Sequence, residues 1–398
     1  MSLRRKLGWV AILYFAEGLP FGVVVDALPV YLRVHGVSLE EIGLLSLLGL
    51  PWTLKVAWSP LVDRFGSRQA WFAGSMAIVA VALLALPLVD PSRPGMALWA
   101  VLLVLTMASA TQDIAVDAYT IGMLAPGEEG AANGVRVSAY RVALIAAGGG
   151  LLLASSVLGW IGAFHAAAAV CVVLVIAQAR SPRFGRIDEE QRRRWLRPLI
   201  TWLRRPGGWA VVAFVLTYKL GDAAMGPMVR PFWVDRGLSV EEIGIITNTL
   251  GIGLTVLGAL VGGWCTGRWG ILGALAALGA AQALSNLGYA GAAYLEAGRV
   301  GIYAASMLES LTGGLGTAAF LSFLMNVCEK QRAAVQYAFL SALFGLTRSL
   351  AGAVSGWATA ELGYAAYFAL TFALALPAFA LLPFLRTWIV DPPQAARP

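Results

Sequence analysis

The sequence predicts an all-α integral membrane fold, with twelve transmembrane helices in two six-helix bundles. Composition and an internal repeat support this fold class. Of the 398 residues, 59% are hydrophobic and only 13% are charged, and the mean hydropathy is +0.74. A soluble domain carries roughly 25% charged residues, because its surface must face water. Lipid is therefore the solvent that accepts the surface of this chain.

Apolar runs long enough to cross a bilayer recur along the whole chain. A helix needs about 20 apolar residues to span the hydrocarbon core. The runs are separated by turn-forming Gly, Pro and Asp residues. In chain order, predicted spans 1 to 12 are 8–33, 41–62, 70–89, 96–121, 132–157, 160–180, 208–234, 243–266, 270–291, 299–326, 334–359 and 363–386. We expect span 1 to be retained, since it has no small-residue cleavage site.

Lys and Arg residues are shared unevenly between the two sets of gaps. If the N-terminus is cytoplasmic, the inside segments include Arg4, Arg5, Lys6, Arg64, Arg68, Arg136, Lys330 and Arg332. The outside segments then keep Arg33, Arg93, Arg236 and Arg299. Because positive residues concentrate on the cytoplasmic side, this asymmetry predicts that both termini are cytoplasmic.

The longest polar stretch, 180–205, predicts the domain organisation. It separates an N-terminal six-helix bundle at 1–180 from a C-terminal bundle at 207–398, with a cytoplasmic linker at 181–206. Acidic and basic residues at 188–194 favour a solvated tether near anionic lipid headgroups. A partner-binding segment is the alternative.

The two predicted bundles share a repeated segment. Residues 36–43 read Gly-Val-Ser-Leu-Glu-Glu-Ile-Gly, and residues 237–244 read Gly-Leu-Ser-Val-Glu-Glu-Ile-Gly. In each copy we expect the Ser to cap the next helix, with the two Glu residues complementing the positive end of that helix. The repeat predicts two parallel halves related by duplication.

The residues after span 2 resemble a known loop signature. Residues 61–68 read Leu-Val-Asp-Arg-Phe-Gly-Ser-Arg and are similar to the Asp-Arg-x-Gly loop of the major facilitator superfamily. The resemblance implies that Asp63, Arg64 and Gly66 brace the cytoplasmic helix ends. Arg268 lies in a second copy, Gly-Arg-Trp-Gly, which lacks the acid, so we expect asymmetric bracing. A polar turn that only obeys the charge rule is the alternative.

Ionisable residues inside the predicted spans are the main functional candidates, because such groups are costly in lipid unless they are paired or face water. The candidates for proton coupling are Glu17, Asp113, Asp117, Asp222 and Glu309. The candidates for substrate binding are basic residues together with neutral hydrogen-bonding residues in the same spans. The basic ones are Lys55, Arg141, Lys219 and Arg348, and the neutral ones are Gln112, Tyr218, Asn286 and Tyr289.

Spacing indicates which of these groups share a helix face. Asp113 and Asp117 are four residues apart on span 4, so both carboxylates point the same way. Their mutual repulsion suits proton uptake and release. Lys219 and Asp222 are three residues apart on span 7, which predicts an ion pair within one helix.

Structural roles are the alternatives for these residues. For Asp117, the alternative is that it only neutralises Arg141 on the next span. For Glu17, which lies beside an expected helix break at 18–20, the alternative is a cap-like structural group. A packing role alone is the alternative for Asp113, Lys219, Asp222 and Glu309. Two residues near outer span ends are expected to be interfacial, namely Asp26 and Arg230.

Other function classes find little support. The two histidines, His35 and His165, are in no catalytic constellation with Ser or Cys, so we expect no catalytic residues and no enzyme. We also expect no metal site, because His and Cys do not cluster at ligand spacings. Nucleic acid is not an expected partner despite the net charge of +7, since the basic residues occupy short gaps rather than one face.

Five further segments resemble the AmpG-type branch of the superfamily, the anhydromuropeptide permeases, and the related acetyl-coenzyme A transporters. They begin Lys-Val-Ala-Trp-Ser-Pro, Ser-Ala-Thr-Gln-Asp, Tyr-Lys-Leu-Gly-Asp, Ser-Asn-Leu-Gly-Tyr and Glu-Ser-Leu-Thr-Gly, and lie at 55–64, 109–118, 218–222, 285–289 and 309–320. Two departures stand beside the resemblance. The chain ends where some of these permeases carry two further spans, and residues 247–251 lack a Lys that they carry.

The resemblance implies proton-coupled import of anhydromuropeptides across the bacterial cytoplasmic (inner) membrane. The implied cargo is an amino-sugar, with or without a stem peptide, and the energy source is a proton gradient without a cofactor. We expect a monomer whose other partner is the lipid bilayer. The alternative cargo within the same fold is a coenzyme A ester or another anionic metabolite.

Overall fold

The structure is a computed structural model that describes residues 1–124, 128–182, 202–328 and 333–389. Over these residues the chain is helical and contains no β-strand, as the all-α prediction requires. The chain forms two compact units, Met1–Asp188 with Trp233–Ile245 and Glu189–Phe232 with Ile246–Pro398. Most of the predicted linker lies outside the described residues, so the predicted domain bounds stay a prediction.

The first nine helices belong to the first unit. They are α1 (Leu3–Gly22), α2 (Leu28–Val34), α3 (Leu39–Leu44), α4 (Leu50–Leu54), α5 (Ser59–Arg64), α6 (Arg68–Ala85), α7 (Met96–Met123), α8 (Glu129–Ile145) and α9 (Leu151–Ala179). A π turn joins α1 to α2, and another joins α8 to α9. α1 packs against α7 and α8, and α6 packs against α7 and α9.

The remaining helices are α10 (Gly208–Tyr218), α11 (Leu220–Asp235), α12 (Val240–Ile245), α13 (Ile252–Tyr294), α14 (Arg299–Asn326) and α15 (Ala333–Leu381). α12 belongs to the first unit and packs against α9. In the second unit, α13 packs against α14 and α15, and α10 packs against α15. The second unit thus has its core between α10, α13, α14 and α15, where Phe214, Phe320 and Phe323 are fully buried.

Seven helical stretches in the described part of the chain are long and apolar enough to cross a membrane, judged by length and composition. Three of them exceed 40 residues, and each contains a glycine in the left-handed region: Gly159 (φ 70°), Gly270 (φ 75°) and Gly363 (φ 74°). Residues with a side chain rarely adopt this conformation. Division at these glycines leaves separate helical segments where the sequence predicts spans 5 and 6, 8 and 9, and 11 and 12.

Left-handed glycines also repeat between the two halves of the sequence. Gly36 and Gly237, with φ of 80° and 74°, are 201 residues apart. Two further pairs are 204 residues apart, namely Gly66 with Gly270 and Gly159 with Gly363. The backbone therefore repeats at three turns. The first lies in the repeated segment and the second in the two copies of the loop signature, whereas the turn at Gly159 and Gly363 lies outside both.

Both predicted N-caps form. Ser38 Oγ accepts a hydrogen bond from the Glu41 N–H at 3.3 Å, and Ser239 Oγ accepts one from the Glu242 N–H at 3.1 Å. In the second copy Glu242 Oε2 also accepts from the Ser239 N–H at 2.8 Å, which completes a capping box. The repeated segment is thus a helix start in each half.

Two local expectations differ from the structure. Span 2 is not one regular helix, because α3, α4 and α5 are joined by 3₁₀ turns at Leu45–Gly49 and Lys55–Ala57. Prolines stand at the starts of α4 and α5, where the missing N–H interrupts the α-helical ladder. The expected break at 18–20 is also absent, since α1 runs through Pro20 and the irregularity falls in the π turn Val23–Ala27.

Large apolar side chains cover much of the outer surface of the helices. Val157 is 82% exposed, Leu260 is 70% exposed and Trp264 is 64% exposed. Soluble monomers rarely expose contiguous apolar surface on this scale. Exposed apolar faces around buried cores are the arrangement that lipid, rather than water, stabilises.

An ion pair joins two segments of the first unit that sit at repeat-related turns. Arg33 Nε donates to Asp235 Oδ1 at 2.6 Å, and Arg33 Nη2 donates to Asp235 Oδ2. Arg33 Nη1 also donates to the Val37 carbonyl at 2.9 Å. This two-pronged contact fixes the turn that follows α2 to the end of α11.

Candidate functional site

A group of ionisable side chains, here named the first ionic cluster, lies inside the first unit. Its members are Tyr14, Glu17, Lys55, Asp113, Asp117 and Arg136. They come from α1, from the 3₁₀ turn after α4, from α7 and from α8. The predicted proton-coupling candidates of the first half of the chain are thereby brought together with a predicted substrate-binding lysine.

Asp117 has three polar partners in the first ionic cluster. The Tyr14 hydroxyl donates to Asp117 Oδ1 at 2.7 Å, and Arg136 Nη2 lies 3.3 Å from the same oxygen. Lys55 Nζ lies 3.8 Å from Asp117 Oδ2. The Arg136 guanidinium also stacks 4.5 Å above the Tyr14 ring. Asp117 is thus in contact with two cations and one hydroxyl.

Lys55 reaches the cluster because the helix is interrupted at its position. It begins the 3₁₀ turn Lys55–Ala57, and its ammonium lies 3.3 Å from Asp113 Oδ2. The same ammonium contacts Asp117, so one cation bridges the two carboxylates that the four-residue spacing sets on one face. The irregular second span therefore has a consequence for the site: it carries Lys55 to α7.

The arginine beside Asp117 is Arg136 rather than Arg141, so the alternative in which Asp117 neutralises Arg141 is wrong. Arg141 lies five residues further along α8, about 140° around the helix at roughly 100° per residue, and its side chain is exposed. Sequence reasoning missed both Arg136 and Tyr14 as site residues. Tyr14 had a signal, since it precedes Glu17 by three residues on one helix face.

Gln112 is fully buried next to the first ionic cluster in sequence. Both its amide oxygen and its amide nitrogen lack a hydrogen-bond partner among the described residues. A buried polar group without a partner is costly, and the Gln112 amide keeps its full hydrogen-bonding capacity among the described residues. Gln112 stays a predicted substrate-binding residue.

A second group, here named the second ionic cluster, lies inside the second unit and contains Lys219, Asp222, Gln282, Glu309 and Thr317. The predicted Lys219–Asp222 pair forms, with Nζ 3.2 Å from Oδ2. Lys219 is the residue between α10 and α11, where the backbone leaves the helical region (φ −102°, ψ 10°). This break allows the lysine to face inward at the start of α11.

Gln282 holds the Lys219–Asp222 pair from α13, and sequence reasoning missed it. Its Oε1 accepts from Lys219 Nζ at 2.5 Å, and its Nε2 donates to Asp222 Oδ2. Thr317 Oγ1, from α14, accepts a further hydrogen bond from Lys219 at 3.1 Å. The available signal was an amide within the apolar run of span 9, four residues before the predicted Asn286, which is the kind of intramembrane polar residue that needs a partner.

Glu309 is the second acid of the second ionic cluster. A Cβ atom at Gly313 would be 3.6 Å from Glu309 Oε1 and 3.9 Å from Gln282 Nε2. Glu309 interacts electrostatically with Asp222, Lys219 and Arg230. Its position beside Gln282 therefore links the acid of α14 to the ion pair of α11.

Three of the predicted substrate-binding residues have packing partners. The Tyr218 hydroxyl donates to the Leu275 carbonyl at 3.1 Å, and the Tyr218 ring stacks on Phe320. Asn286 Nδ2 donates to Thr371 Oγ1 at 3.1 Å. Tyr289 is fully buried between Phe232 and Phe368. Their roles as ligand contacts stay predictions, as does that of Arg348, whose side chain is exposed on α15.

The predicted loop signature is described only in part. Gly66 follows α5 in the left-handed region (φ 69°), where a glycine is favoured. Arg268 is exposed, with its guanidinium 5.9 Å from the Trp264 ring centroid. The side chains of Asp63 and Arg64 lie outside the described part of the structure, so the predicted bracing is untested.

Comparison with known proteins fixes the family. The profile of the Major Facilitator Superfamily matches residues 10–296, which is more than half of the chain. The chain belongs to the Major Facilitator Superfamily. Solved structures share its fold: a bacterial homologue of the human lysosomal transporter Spinster has a TM-score of 0.79 at 14% identity, covering 97% of both chains. The nucleoside transporter NupG has a TM-score of 0.74 at 18% identity, covering 97% of this chain and 100% of that one.

Sequence relatives narrow the branch within the Major Facilitator Superfamily. The anhydromuropeptide permease of Escherichia coli (strain K12) is 33% identical over an alignment of 382 positions, which covers 93% of this chain and 78% of that protein. The putative transporter AmpG 4 of Rickettsia conorii is 27% identical over 406 residues, covering 96% of this chain and 97% of that protein. The resemblance to AmpG-type permeases is therefore confirmed.

Proposed function

We propose that this chain is a proton-coupled secondary transporter that imports anhydromuropeptides for peptidoglycan recycling. The cargo is N-acetylglucosaminyl-anhydro-N-acetylmuramic acid, with or without its stem peptide. The single observation that carries the proposal is the 33% identity to the Escherichia coli permease over 93% of this chain. Such similarity along nearly the whole length favours a shared cargo as well as a shared fold.

The buried charges support coupling to protons. Asp113 and Glu17 are each 7% exposed, and both belong to the first ionic cluster. In the second unit, Lys219 is 4% exposed and pairs with Asp222. Intramembrane carboxyl groups of this kind mark proton and ion pathways in transporters. No cofactor is part of this proposal, since the proton gradient supplies the energy.

The polar groups of both clusters suit the proposed cargo. An amino-sugar with a lactyl or peptide carboxylate offers hydroxyls, amides and anionic groups. Lys55 and Lys219 can meet a carboxylate, and Gln112 has an amide with free hydrogen-bonding capacity. We propose that the transporter works as a monomer by alternating access in the cytoplasmic membrane of a bacterium, with both termini in the cytoplasm.

Transport in reconstituted vesicles tests this function. The purified chain should take up labelled anhydromuropeptide faster when the outside is acidified, and a protonophore should abolish the acceleration. Asp113→Asn should lower gradient-driven uptake more than substrate exchange, while the exposed loop variant Asp90→Asn should match the wild type. Uptake that ignores the proton gradient would contradict the coupling.

A binding screen separates the proposed cargo from the alternative one. We expect anhydromuropeptide, and not acetyl-coenzyme A, to raise the thermal denaturation temperature of the purified protein. Stabilisation by acetyl-coenzyme A alone would favour transport of a coenzyme A ester.

A further inference from the structure

The charges of the first ionic cluster do not balance. It contains three carboxyl groups, those of Glu17, Asp113 and Asp117, and two cations, those of Lys55 and Arg136. If every group were ionised, the cluster would carry a net charge of −1. An uncompensated charge buried in a protein is strongly destabilising even after relaxation.

The two cations are both committed to the aspartates of α7. Lys55 Nζ lies 3.3 Å from Asp113 and 3.8 Å from Asp117, and Arg136 Nη2 lies 3.3 Å from Asp117. The Tyr14 hydroxyl adds a hydrogen bond to Asp117 at 2.7 Å. Each aspartate thus has a cation within 4.0 Å, and the oxygen of Asp113 that lacks a hydrogen-bond partner among the described residues is Oδ1, which is not the oxygen in this contact.

Glu17 is the carboxyl group left over. It is 7% exposed, and its Oε2 atom has no hydrogen-bond partner among the residues that the structure describes. Within those residues no cation lies within 4.0 Å of it. The charged groups that face it are Asp113 and Asp117 from α7, Lys55 from the turn after α4, and Arg136 from α8.

Two negative neighbours and deep burial both disfavour an ionised Glu17, whereas protonation brings the cluster to neutrality. We propose that Glu17 carries one exchangeable proton and is the proton-binding group of the first ionic cluster. The inference rests on the proposed function only for the statement that this proton is transported; the site itself follows from the contacts above.

Release of the proton has a simple balance. The O–H bond of the Glu17 carboxyl breaks, the proton passes to water, and the negative charge stays on Glu17. The nearest compensation is Lys55, which already bridges Asp113 and Asp117 and can shift towards a third carboxylate. A substrate carboxylate that binds Lys55 competes with this shift, which ties the proton on Glu17 to the anionic cargo.

Infrared spectroscopy of the purified full-length chain tests the proposal without any substrate. A protonated carboxylic acid gives a carbonyl stretching band that disappears on ionisation. We expect the pH-difference spectrum of the wild type to contain this band, Glu17→Gln to lose one carboxyl component of it, and Asp113→Asn to keep that component. Full amplitude in Glu17→Gln, or loss in Asp113→Asn instead, would overturn the assignment.

A second variant covers the case in which Glu17→Gln folds poorly. Glu17→Asp keeps an acid on a shorter side chain, so we expect the component to remain with a shifted titration midpoint. An unchanged midpoint in a folded Glu17→Asp protein would also overturn the assignment. In vesicles, Glu17→Gln should lose gradient-driven uptake and keep substrate exchange. If the wild type moves no anhydromuropeptide, the proposed function fails while the infrared result still decides the role of Glu17.

Discussion

Lys55 and Asp113 form an ion pair between the turn after α4 and the middle of α7, with Nζ 3.3 Å from Oδ2. The two residues are 58 positions apart in the chain. Because the same ammonium also contacts Asp117, Lys55 is the cation that both aspartates of the first ionic cluster share. Its replacement is therefore the most informative single change in the first unit.

We expect Lys55→Met to lower gradient-driven uptake at least about tenfold, equivalent to about 1.4 kcal/mol. Without the ammonium, two buried carboxylates lose a shared cation and repel each other, so at least one must hold a proton. The measurement is the initial rate of uptake in vesicles with an acidified exterior. Lys6→Met is the matched control, because Lys6 pairs at 2.6 Å with Glu128 outside the cluster. Equal losses in both variants would show that Lys55 has no special role.

The double variant Lys55→Met with Asp113→Asn tests charge balance itself. Removal of one charge of each sign restores the count that the single variant disturbs, so we expect its thermal stability to exceed that of Lys55→Met. Thermal denaturation of the purified proteins gives the comparison. A double variant less stable than Lys55→Met would contradict the account.

Gln282→Leu should destabilise the second unit. The amide bridges Lys219 and Asp222, and its loss leaves buried groups of both residues short of partners, at about 1–3 kcal/mol. We expect a lower denaturation temperature and an altered pH profile of uptake. Gln178→Leu is the control, since Gln178 is fully buried but its amide has no hydrogen-bond partner in the described part of the chain. A larger loss in the control would contradict this role.

Gly258→Ala should weaken the contact between α13 and α14. A Cβ atom at this position would overlap the Leu311 carbonyl oxygen, so the helix backbones would have to separate. Overpacking of this kind typically costs about 1–3 kcal/mol. Gly263→Ala on the same helix is the matched control, because a Cβ there meets nothing within 4 Å. Denaturation temperatures that fall equally in both variants would argue against close backbone approach.

The Arg33–Asp235 pair offers a double-mutant cycle within the first unit. Both side chains are partly buried and the contact is two-pronged, so we expect a coupling free energy of about 1 kcal/mol or more. The cycle uses Arg33→Ala, Asp235→Ala and their combination, measured by thermal denaturation. Arg93→Ala, in an exposed loop, should be neutral. Strict additivity of the two single changes would show that the pair contributes nothing.

Features that depend on one helix at a time could be predicted from the sequence. The caps at Ser38 and Ser239 form, and Lys219 pairs with Asp222 at three-residue spacing. Each follows from local geometry, which the order of residues determines. The predicted boundaries between spans 5 and 6, 8 and 9, and 11 and 12 also lie at or next to glycines with positive φ, namely Gly159, Gly270 and Gly363.

Features that depend on how one helix is rotated against another could not be predicted. The charge rule assigned Arg136 to the cytoplasmic side, yet it reaches Asp117, and Arg141 faces away. Gln282 meets Lys219 from 63 residues along the chain, a pairing set by packing rather than by spacing. The contact of Lys55 with α7 depends on the 3₁₀ turn Lys55–Ala57, which is one of two 3₁₀ turns that interrupt span 2. No single residue in the sequence predicts both interruptions.

Proton movement driven by the cargo tests the central claim most directly. Vesicles that contain the wild-type chain and an internal pH-sensitive dye receive N-acetylglucosaminyl-anhydro-N-acetylmuramic acid on the outside, with no imposed gradient. The account predicts that the vesicle interior acidifies when the sugar is added, and that Glu17→Gln shows no acidification. Entry of the labelled sugar without acidification in the wild type would contradict it.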